Sequence, residues 1–195
     1  AHLLYIRFFN LVLVDMGLLS EDKKEPIKKL VYNGYINAED GSKMSKSKGN
    51  TVDPMDIINS GYGADALRVF ELFIAPYEQD TSWNTNGVPG AYRFLQRVWN
   101  LVQDYAEAKG SALGKHDEDI LKAAHKTVKK VTQDLEQLSF NTAVAAMMGF
   151  TNELHLMKAK EPVSKSSAWT YALESLAQLL GPYAPHIAEE MWHDL

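Results

Sequence analysis

The chain has 195 residues, a hydrophobic fraction of 46% and a formal net charge of −5, which is typical of a globular protein of one or two domains. This composition excludes intrinsic disorder. Cysteine is absent, which excludes disulfides and thiolate metal sites and favours a reducing cytosol. No bound metal or cofactor is expected in the chain. The negative charge weighs mildly against a nucleic-acid partner.

The most apolar segment lies at the start of the chain, at residues 3–19. Arg7, Asn10 and Asp15 interrupt it, which predicts a buried helix rather than a membrane span. No basic region precedes it and no small-residue cleavage site comes after it, so we expect no signal peptide. The chain enters this run directly from Ala1, which indicates a piece cut from a longer protein.

Short elements are predicted in the next part of the chain. Residues 30–36 read as a strand, and the Asp40-Gly41 pair predicts a tight hairpin over residues 35–44. Asp53 followed by Pro54 then predicts the capped first turn of a short helix.

Helices are predicted over most of the remaining chain. Gly61 would close the short helix, and residues 65–75 form a second helix whose buried side includes Leu67, Phe70 and Phe73. From residue 88 onward helical periodicity dominates, with a loop at residues 110–114. The apolar seams are predicted at Tyr92, Leu95, Trp99, Val102 and Tyr105, and then at Leu121, Ala124, Val128, Val131, Leu135 and Leu138.

The predicted fold class is therefore mainly α. Four helices joined by short loops indicate an antiparallel bundle, preceded by a small α/β portion.

A lysine- and serine-rich stretch, DGSKMSKSKGNTVDP, occupies residues 40–54, and residues 42–52 contain three lysines and no acid. Such a run is usually a solvated linker. Here Met44 supplies an apolar anchor, and Gly49 and Asn50 tolerate the left-handed backbone that lets successive amides converge on an anion. The predicted hairpin and helix also restrain both ends. The pattern therefore favours a loop that closes over phosphates.

The KMSKS segment at residues 43–47 resembles the signature loop of the class I aminoacyl-tRNA synthetases, and the KGN and VDP that come after it look like the same block. Four further segments look like the leucyl members of that family: HLLYIRFF, YGADALRVFELFIAP, GAYRFLQRVWNL and YAPHIAEEMW. The valyl and isoleucyl members share the loop, but FIAPYEQDTSW followed by GAYRFLQRVW fits the leucyl enzymes better.

This resemblance implies a two-step reaction. Leucine and ATP form leucyl-adenylate and pyrophosphate, and the leucyl group then passes to the 3′ end of tRNA. It implies that Lys46 contacts the ATP phosphates, that Lys43 assists, and that Met44, Ser45 and Ser47 shape the loop against the nucleotide. Magnesium would accompany ATP. The implied partners are ATP, leucine and a leucine-accepting tRNA, with no membrane, in a monomeric cytoplasmic enzyme.

Some of the family pattern is missing from the chain. None of the six histidines has a histidine three residues later, so H-x-G-H is absent, and no editing domain is inserted. The resemblance therefore implies an internal piece that is inactive by itself. It would contain the end of a Rossmann-like catalytic domain (1–41), the loop with connecting helices (42–83) and a helical tRNA-binding bundle (84–195). A stand-alone helical RNA-binding module is the competing hypothesis.

Further candidate residues have weaker support. The resemblance places His2 where the family has a histidine facing the amino acid, although a frayed terminus explains it equally well. Arg93 and Arg97 lie one turn apart, off the apolar stripe of their helix, and are candidates for phosphate or ribose contacts; solvated surface is the alternative. His186 is predicted to organise a helix start.

A lysine stripe, Lys122, Lys126 and Lys129, lies opposite the second apolar seam. It is a candidate tRNA contact because no acid occurs among residues 120–133. Any bundle helix needs a charged outer face, which is the simpler explanation.

Overall fold

The computed structural model describes residues 2–110 and 114–195, and the chain divides into two compact units, Ala1–Asn33 and Gly34–Leu195. Eight α-helices and two very short strands occur in these described residues, which confirms the predicted mainly α fold class. Within the same residues, no helix is long and apolar enough to cross a membrane. The predicted loop at 110–114 includes residues 111–113, which lie outside the described residues.

The first unit is built around α1, His2–Asp15, and Gly17 lies just after the helix with φ of 72°. The segment after the helix returns to it, and Arg7 Nε donates to Glu25 Oε2 at 2.8 Å.

The expectation that α1 is buried is wrong. Val14 is the one buried residue among those described in this helix, and its large apolar side chains are mostly exposed, including Leu4, Tyr5, Phe8 and Phe9. Apolarity in a sequence marks a preference for burial, whereas burial itself depends on what the rest of the fold provides.

The second unit contains both strands. They are β1, Ile36–Asn37, and β2, Thr81–Ser82, and they pair in parallel. The strand predicted over residues 30–36 is reduced to β1, and the hairpin predicted over residues 35–44 is wrong. The turn itself forms, because Gly41 N donates to Ala38 O at 2.9 Å. The partner strand, however, comes from further along the chain, and a local turn signal carries no information about such a partner.

Three short helical elements come after the lysine-rich stretch. They are α2, Pro54–Ile57, a π-helical turn, Ile58–Tyr62, and α3, Gly63–Phe73. The side chain of Asp53 accepts the Met55 amide, as predicted for a cap, and Gly61 has φ of 96°. In α3, Leu67 and Phe70 are buried as predicted, whereas Phe73 is exposed.

The remaining helices form the bundle. They are α4, Val88–Glu107, α5, Asp117–Glu136, α6, Phe140–Lys160, α7, Ser167–Leu180, and α8, Pro185–Asp194. The predicted α4 seam is largely correct, with Tyr92 and Trp99 half-buried. The predicted α5 seam coincides only partly with the residues that are buried, because α5 packs against both α6 and α7 and buries a broader face. That face comprises Asp117, Ile120, Ala123, Ala124, Thr127, Val131 and Asp134.

Two charged side chains of α3 fasten it to the corner between α7 and α8. Asp65 is 9% exposed, and its carboxylate accepts the Ile187 amide at 2.7 Å and contacts His186 Nδ1 at 2.8 Å. His186 thus lies at a helix start, in the first turn of α8. Arg68 donates from Nη2 to the Pro182 carbonyl at 2.9 Å and from Nε to the next carbonyl at 3.1 Å. We call these contacts the α3 clamp. An acid therefore caps the beginning of one helix while a cation binds carbonyls that lie beyond the end of another.

We predict that Asp65→Ala lowers the free energy of unfolding by about 2 kcal/mol, because the first-turn amides of α8 lose their acceptor. Urea denaturation measures this change. Asp56→Ala is the control, since Asp56 is an exposed acid on α2 whose side chain makes no hydrogen bond within the described residues. It should change stability by no more than about 0.5 kcal/mol. Equal effects of the two substitutions would contradict the capping role.

Candidate functional site

The lysine-rich stretch forms an ordered turn. Lys46–Lys48 make one 3-10 turn, and Gly49 comes next in the left-handed region with φ of 65°. Gly49 N donates to Lys46 O at 3.2 Å, and Lys48 N donates to Ser45 O at 3.1 Å. Gly49 thus adopts the predicted left-handed backbone, whereas Asn50 does not.

Asn50 instead uses its side chain. Its Oδ1 accepts from Ser45 N at 2.8 Å, and its Nδ2 donates to Ser42 Oγ at 2.9 Å and to Lys43 O at 3.3 Å. The end of the loop is therefore bonded to three positions near its beginning.

Met44 is half-buried and packs against the hydrophobic core, as the sequence predicted for an apolar anchor. It lines a cavity of about 90 Å³ whose other walls are Ile36, Val52, Pro54, Leu67, Glu71 and Trp83. Burial raises the pKa of Glu71, and the charge of Arg68 opposes that shift. The loop backbone is thus attached to the core between its two principal lysines.

The lysine side chains point into solvent. Lys43, Lys46 and Lys48 are all exposed, and Lys43 Nζ lies 4.9 Å from the centre of the Tyr35 ring. Within the described residues, neither Lys46 nor Lys48 has an ion-pair partner. Beside them, the hydroxyls of Ser45 and Ser47 are 2.7 Å apart. The result is a cluster of positive charge on a fixed backbone, which is what binding of a polyphosphate requires.

The beginning of the loop is also fastened. The amide of Ser42 donates to Asp40 Oδ1 at 2.9 Å, and this hydrogen bond lowers the pKa of the Asp40 carboxyl. Glu39 accepts from Thr85 Oγ1 at 2.8 Å, which ties the turn to the segment before α4.

A second candidate site is an open groove of about 810 Å³ along α4. Its lining includes Arg93 and Arg97, aromatic side chains and part of the α3 clamp, namely Tyr62, Tyr92, Trp99, Asp65 and His186. Arg97 Nη1 donates to Asn152 Oδ1 at 2.6 Å. Arg93 is exposed and makes no hydrogen bond or ion pair to any described residue. The structure therefore brings the two predicted arginines to one concave surface.

The other predicted residues lie on exposed surfaces. Lys122, Lys126 and Lys129 form a stripe on α5 and have no ion-pair partner among residues 2–110 and 114–195. His2 is the first residue of α1, in the first unit, and it is exposed. Across the part of the chain that the structure describes, no three His, Cys, Asp or Glu side chains could together hold a metal ion.

Sequence reasoning missed three residues. Asn50 was considered only for its backbone, although Asn side chains in turns commonly hydrogen-bond nearby backbone groups. Asp65 and Arg68 lie three residues apart on one helix face, and their partners are more than a hundred residues away. No local pattern could have identified those partners.

Two family models match the chain. Residues 5–84 match the model for class I tRNA synthetases (I, L, M and V), and residues 117–195 match the model for the anticodon-binding domain of tRNA ligase. The chain therefore belongs to the class I tRNA synthetases.

Within this family, similar curated proteins include leucine–tRNA ligases. The chain is 49% identical to that of Prosthecochloris aestuarii over 98% of its own length, and 47% identical to that of Chlorobaculum tepidum over its full length. It spans 22% and 23% of those two relatives.

Solved structures agree with this assignment. LeuRS of Agrobacterium radiobacter K84, in a ternary complex with tRNA and LeuAMS, superimposes with a TM-score of 0.79 at 32% identity, covering 99% of this chain and 26% of that one. Methionyl-tRNA synthetase of Mycobacterium tuberculosis, bound to methionyl-adenylate, shares the fold with a TM-score of 0.66 at 20% identity, covering 82% of this chain and 36% of that one.

We predict that Gly49→Ala destabilises the protein by about 1 kcal/mol, because an alanine in the left-handed region is strained. A Cβ at Gly49 would meet nothing within 4 Å, so the loss would come from the backbone alone. Gly149→Ala is the matched control: it has equally open space but lies inside α6, and it should stabilise by up to about 1 kcal/mol. Urea denaturation of both variants measures the difference, and changes of the same sign would contradict the left-handed turn.

Proposed function

We propose that the chain is part of a leucine–tRNA ligase and that its lysine-rich loop binds the triphosphate of ATP while leucyl-adenylate forms. The observation that carries the proposal is the loop itself, in which Lys43 and Lys46 are exposed on a backbone held by Asn50 and Met44. The similarity to leucine–tRNA ligases along the whole chain supports leucine over valine and isoleucine.

The chemistry that this loop can supply is electrostatic. When a carboxylate attacks the α-phosphate of ATP, negative charge accumulates on the departing pyrophosphate. Lys46 donates to that pyrophosphate, and Lys43, which precedes Met44 in the loop, also binds the phosphates. Ser45 and Ser47 offer hydroxyl hydrogen bonds. No covalent enzyme intermediate is needed, because positioning and charge stabilisation are sufficient. Magnesium enters with ATP and is held mainly by the phosphates.

The groove along α4 is proposed to meet the tRNA backbone. Arg93 has no partner among the described residues and Arg97 lies one turn away, a spacing that suits successive phosphates or riboses. The likeness to a LeuRS bound to tRNA supports an RNA partner. The lysine stripe on α5 is the second candidate surface for the same partner.

The domain boundaries remain part of the proposal. Residues 1–41 would belong to the end of a Rossmann-like catalytic domain, in which His2 faces the amino acid. Residues 42–83 would carry the loop, and residues 84–195 the tRNA-binding bundle. The exposed apolar side chains of α1 fit this arrangement, since the relatives contain much more chain to cover them. We propose a monomeric, cytoplasmic ligase.

We predict that Lys46→Ala in the intact ligase slows leucyl-adenylate formation by about a hundredfold, because one charge contact to the leaving pyrophosphate is lost. Leucine binding should change little. Leucine-dependent ATP–pyrophosphate exchange and rapid-quench kinetics measure both quantities.

Lys48→Ala is the matched control, because Lys48 lies in the same 3-10 turn as Lys46 and is also exposed, but lies outside the KMSKS signature. It should have a much smaller effect on the first step. The isolated 195-residue chain should show no exchange. An unchanged first-step rate in Lys46→Ala would mean that the loop is only a linker.

We predict that tRNA binds the bundle weakly and mainly through its backbone. Each lost phosphate contact should flatten the slope of log affinity against log salt by about 0.7 to 0.9. Salt titrations should compare the wild type, the Arg93→Gln/Arg97→Gln variant and the triple Lys→Ala variant of the α5 stripe. A flatter slope identifies the surface that contacts RNA, without a change in which tRNA is preferred. A slope equal to that of the wild type assigns the altered surface to solvent, and wild-type slopes in both variants would contradict the proposed RNA contacts.

A further inference from the structure

Asn50 makes more side-chain hydrogen bonds than the other residues of the lysine-rich loop. The chemistry of the partners shows which atom of the carboxamide is the oxygen and which is the nitrogen. The Ser45 amide can only donate, so the oxygen of the carboxamide must face it, at 2.8 Å. The Lys43 carbonyl can only accept, so the nitrogen must face it, at 3.3 Å. Ser42 Oγ accepts a hydrogen bond from the second N–H of that nitrogen at 2.9 Å.

The backbone between these partners explains how the side chain reaches them. Lys46–Lys48 turn the chain, and Gly49 reverses it through a left-handed conformation. Asn50 is thereby returned to Ser45, five residues earlier. Because Met44 is held by the hydrophobic core, the segment that carries Lys43 and Lys46 is fixed on two sides.

The three hydrogen bonds of Asn50 need a side chain that both accepts and donates, as a carboxamide does. Aspartate keeps an acceptor for Ser45 but cannot donate to Ser42 or Lys43, and alanine can do neither. Aspartate also adds a negative charge beside the lysines, where it would repel phosphate.

We propose that Asn50 is a positioning residue that sets the spacing and direction of Lys43 and Lys46 for a polyphosphate. The proposal rests on the proposed function of the loop. Asn50 does not need to touch the phosphates; it acts through the two lysines, since its bonds hold the backbone from which they extend.

The first test measures amide hydrogen exchange at Ser45 in this chain. In Asn50→Ala the Ser45 amide should exchange at least about tenfold faster than in the wild type, whereas in Asn50→Asp it should remain protected. Asn84→Ala is the matched control: Asn84 also accepts a nearby amide, that of Asn86 at 3.0 Å, but it belongs to the turn before α4 and not to the lysine-rich loop. It should leave Ser45 unchanged. Protection of α6 amides in every variant shows that the bundle is folded.

The second test is a double-mutant cycle on adenylate formation in the intact ligase. Asn50→Ala should slow the first step by about tenfold with little change in the KM for leucine, and Asn50→Asp should be slower still. If Asn50 acts through the lysines, Lys46→Ala/Asn50→Ala loses clearly less than the product of the two single effects. Asn84→Ala should be as fast as the wild type.

Each outcome separates this inference from the function on which it rests. Three results would overturn the positioning role alone. They are multiplicative losses in the double variant, unchanged exchange of the Ser45 amide in Asn50→Ala, and a normal first-step rate in Asn50→Ala when Lys46→Ala is slow. A normal rate in Lys46→Ala would overturn the phosphate function of the loop, and the positioning role with it.

Discussion

The α3 clamp is the constraint on which the arrangement of the second unit depends. A buried carboxylate costs several kcal/mol unless its charge is compensated. Asp65 meets the amides at the beginning of α8, where the helix dipole is positive, and Arg68 meets carbonyls beyond the end of α7. One turn of α3 thus satisfies backbone groups at both sides of a helix–helix corner. Because α3 comes soon after the lysine-rich loop in sequence, the clamp joins the segment that carries the loop to the bundle.

The clamp joins two parts of the chain that separate family models match. One model matches residues 5–84 and another matches residues 117–195, yet the structure joins α3 and the bundle within one unit. The clamp also forms part of the groove that contains Arg93 and Arg97, since Asp65 and His186 line it. The proposed nucleotide loop and the proposed RNA groove therefore depend on the same helix. Substitutions in α3 can affect both without touching either substrate.

Sequence reasoning succeeded where the determining interactions are local. The cap at Asp53, the left-handed Gly49 and the Met44 anchor all depend on neighbours within a few residues or on simple apolarity. It failed where partners are remote. The hairpin prediction could not include β2 as a parallel partner, and the predicted α5 seam could not account for packing against both α6 and α7. The fold class could be read from the sequence, whereas the clamp could not, because its partners are more than a hundred residues away. The Asn50 contacts are local, and they were missed because only the backbone of Asn50 was considered.

Native-state hydrogen exchange in increasing urea shows whether the clamp makes α3 and the bundle one cooperative unit. Val69 lies fully buried in α3, and Leu176 lies fully buried in α7. If the clamp couples them, both amides open with the same free energy and the same dependence on urea, equal to those of global unfolding. If Val69 exchanges through an opening of lower free energy while Leu176 stays protected, α3 unfolds independently of the bundle and the clamp does not couple them.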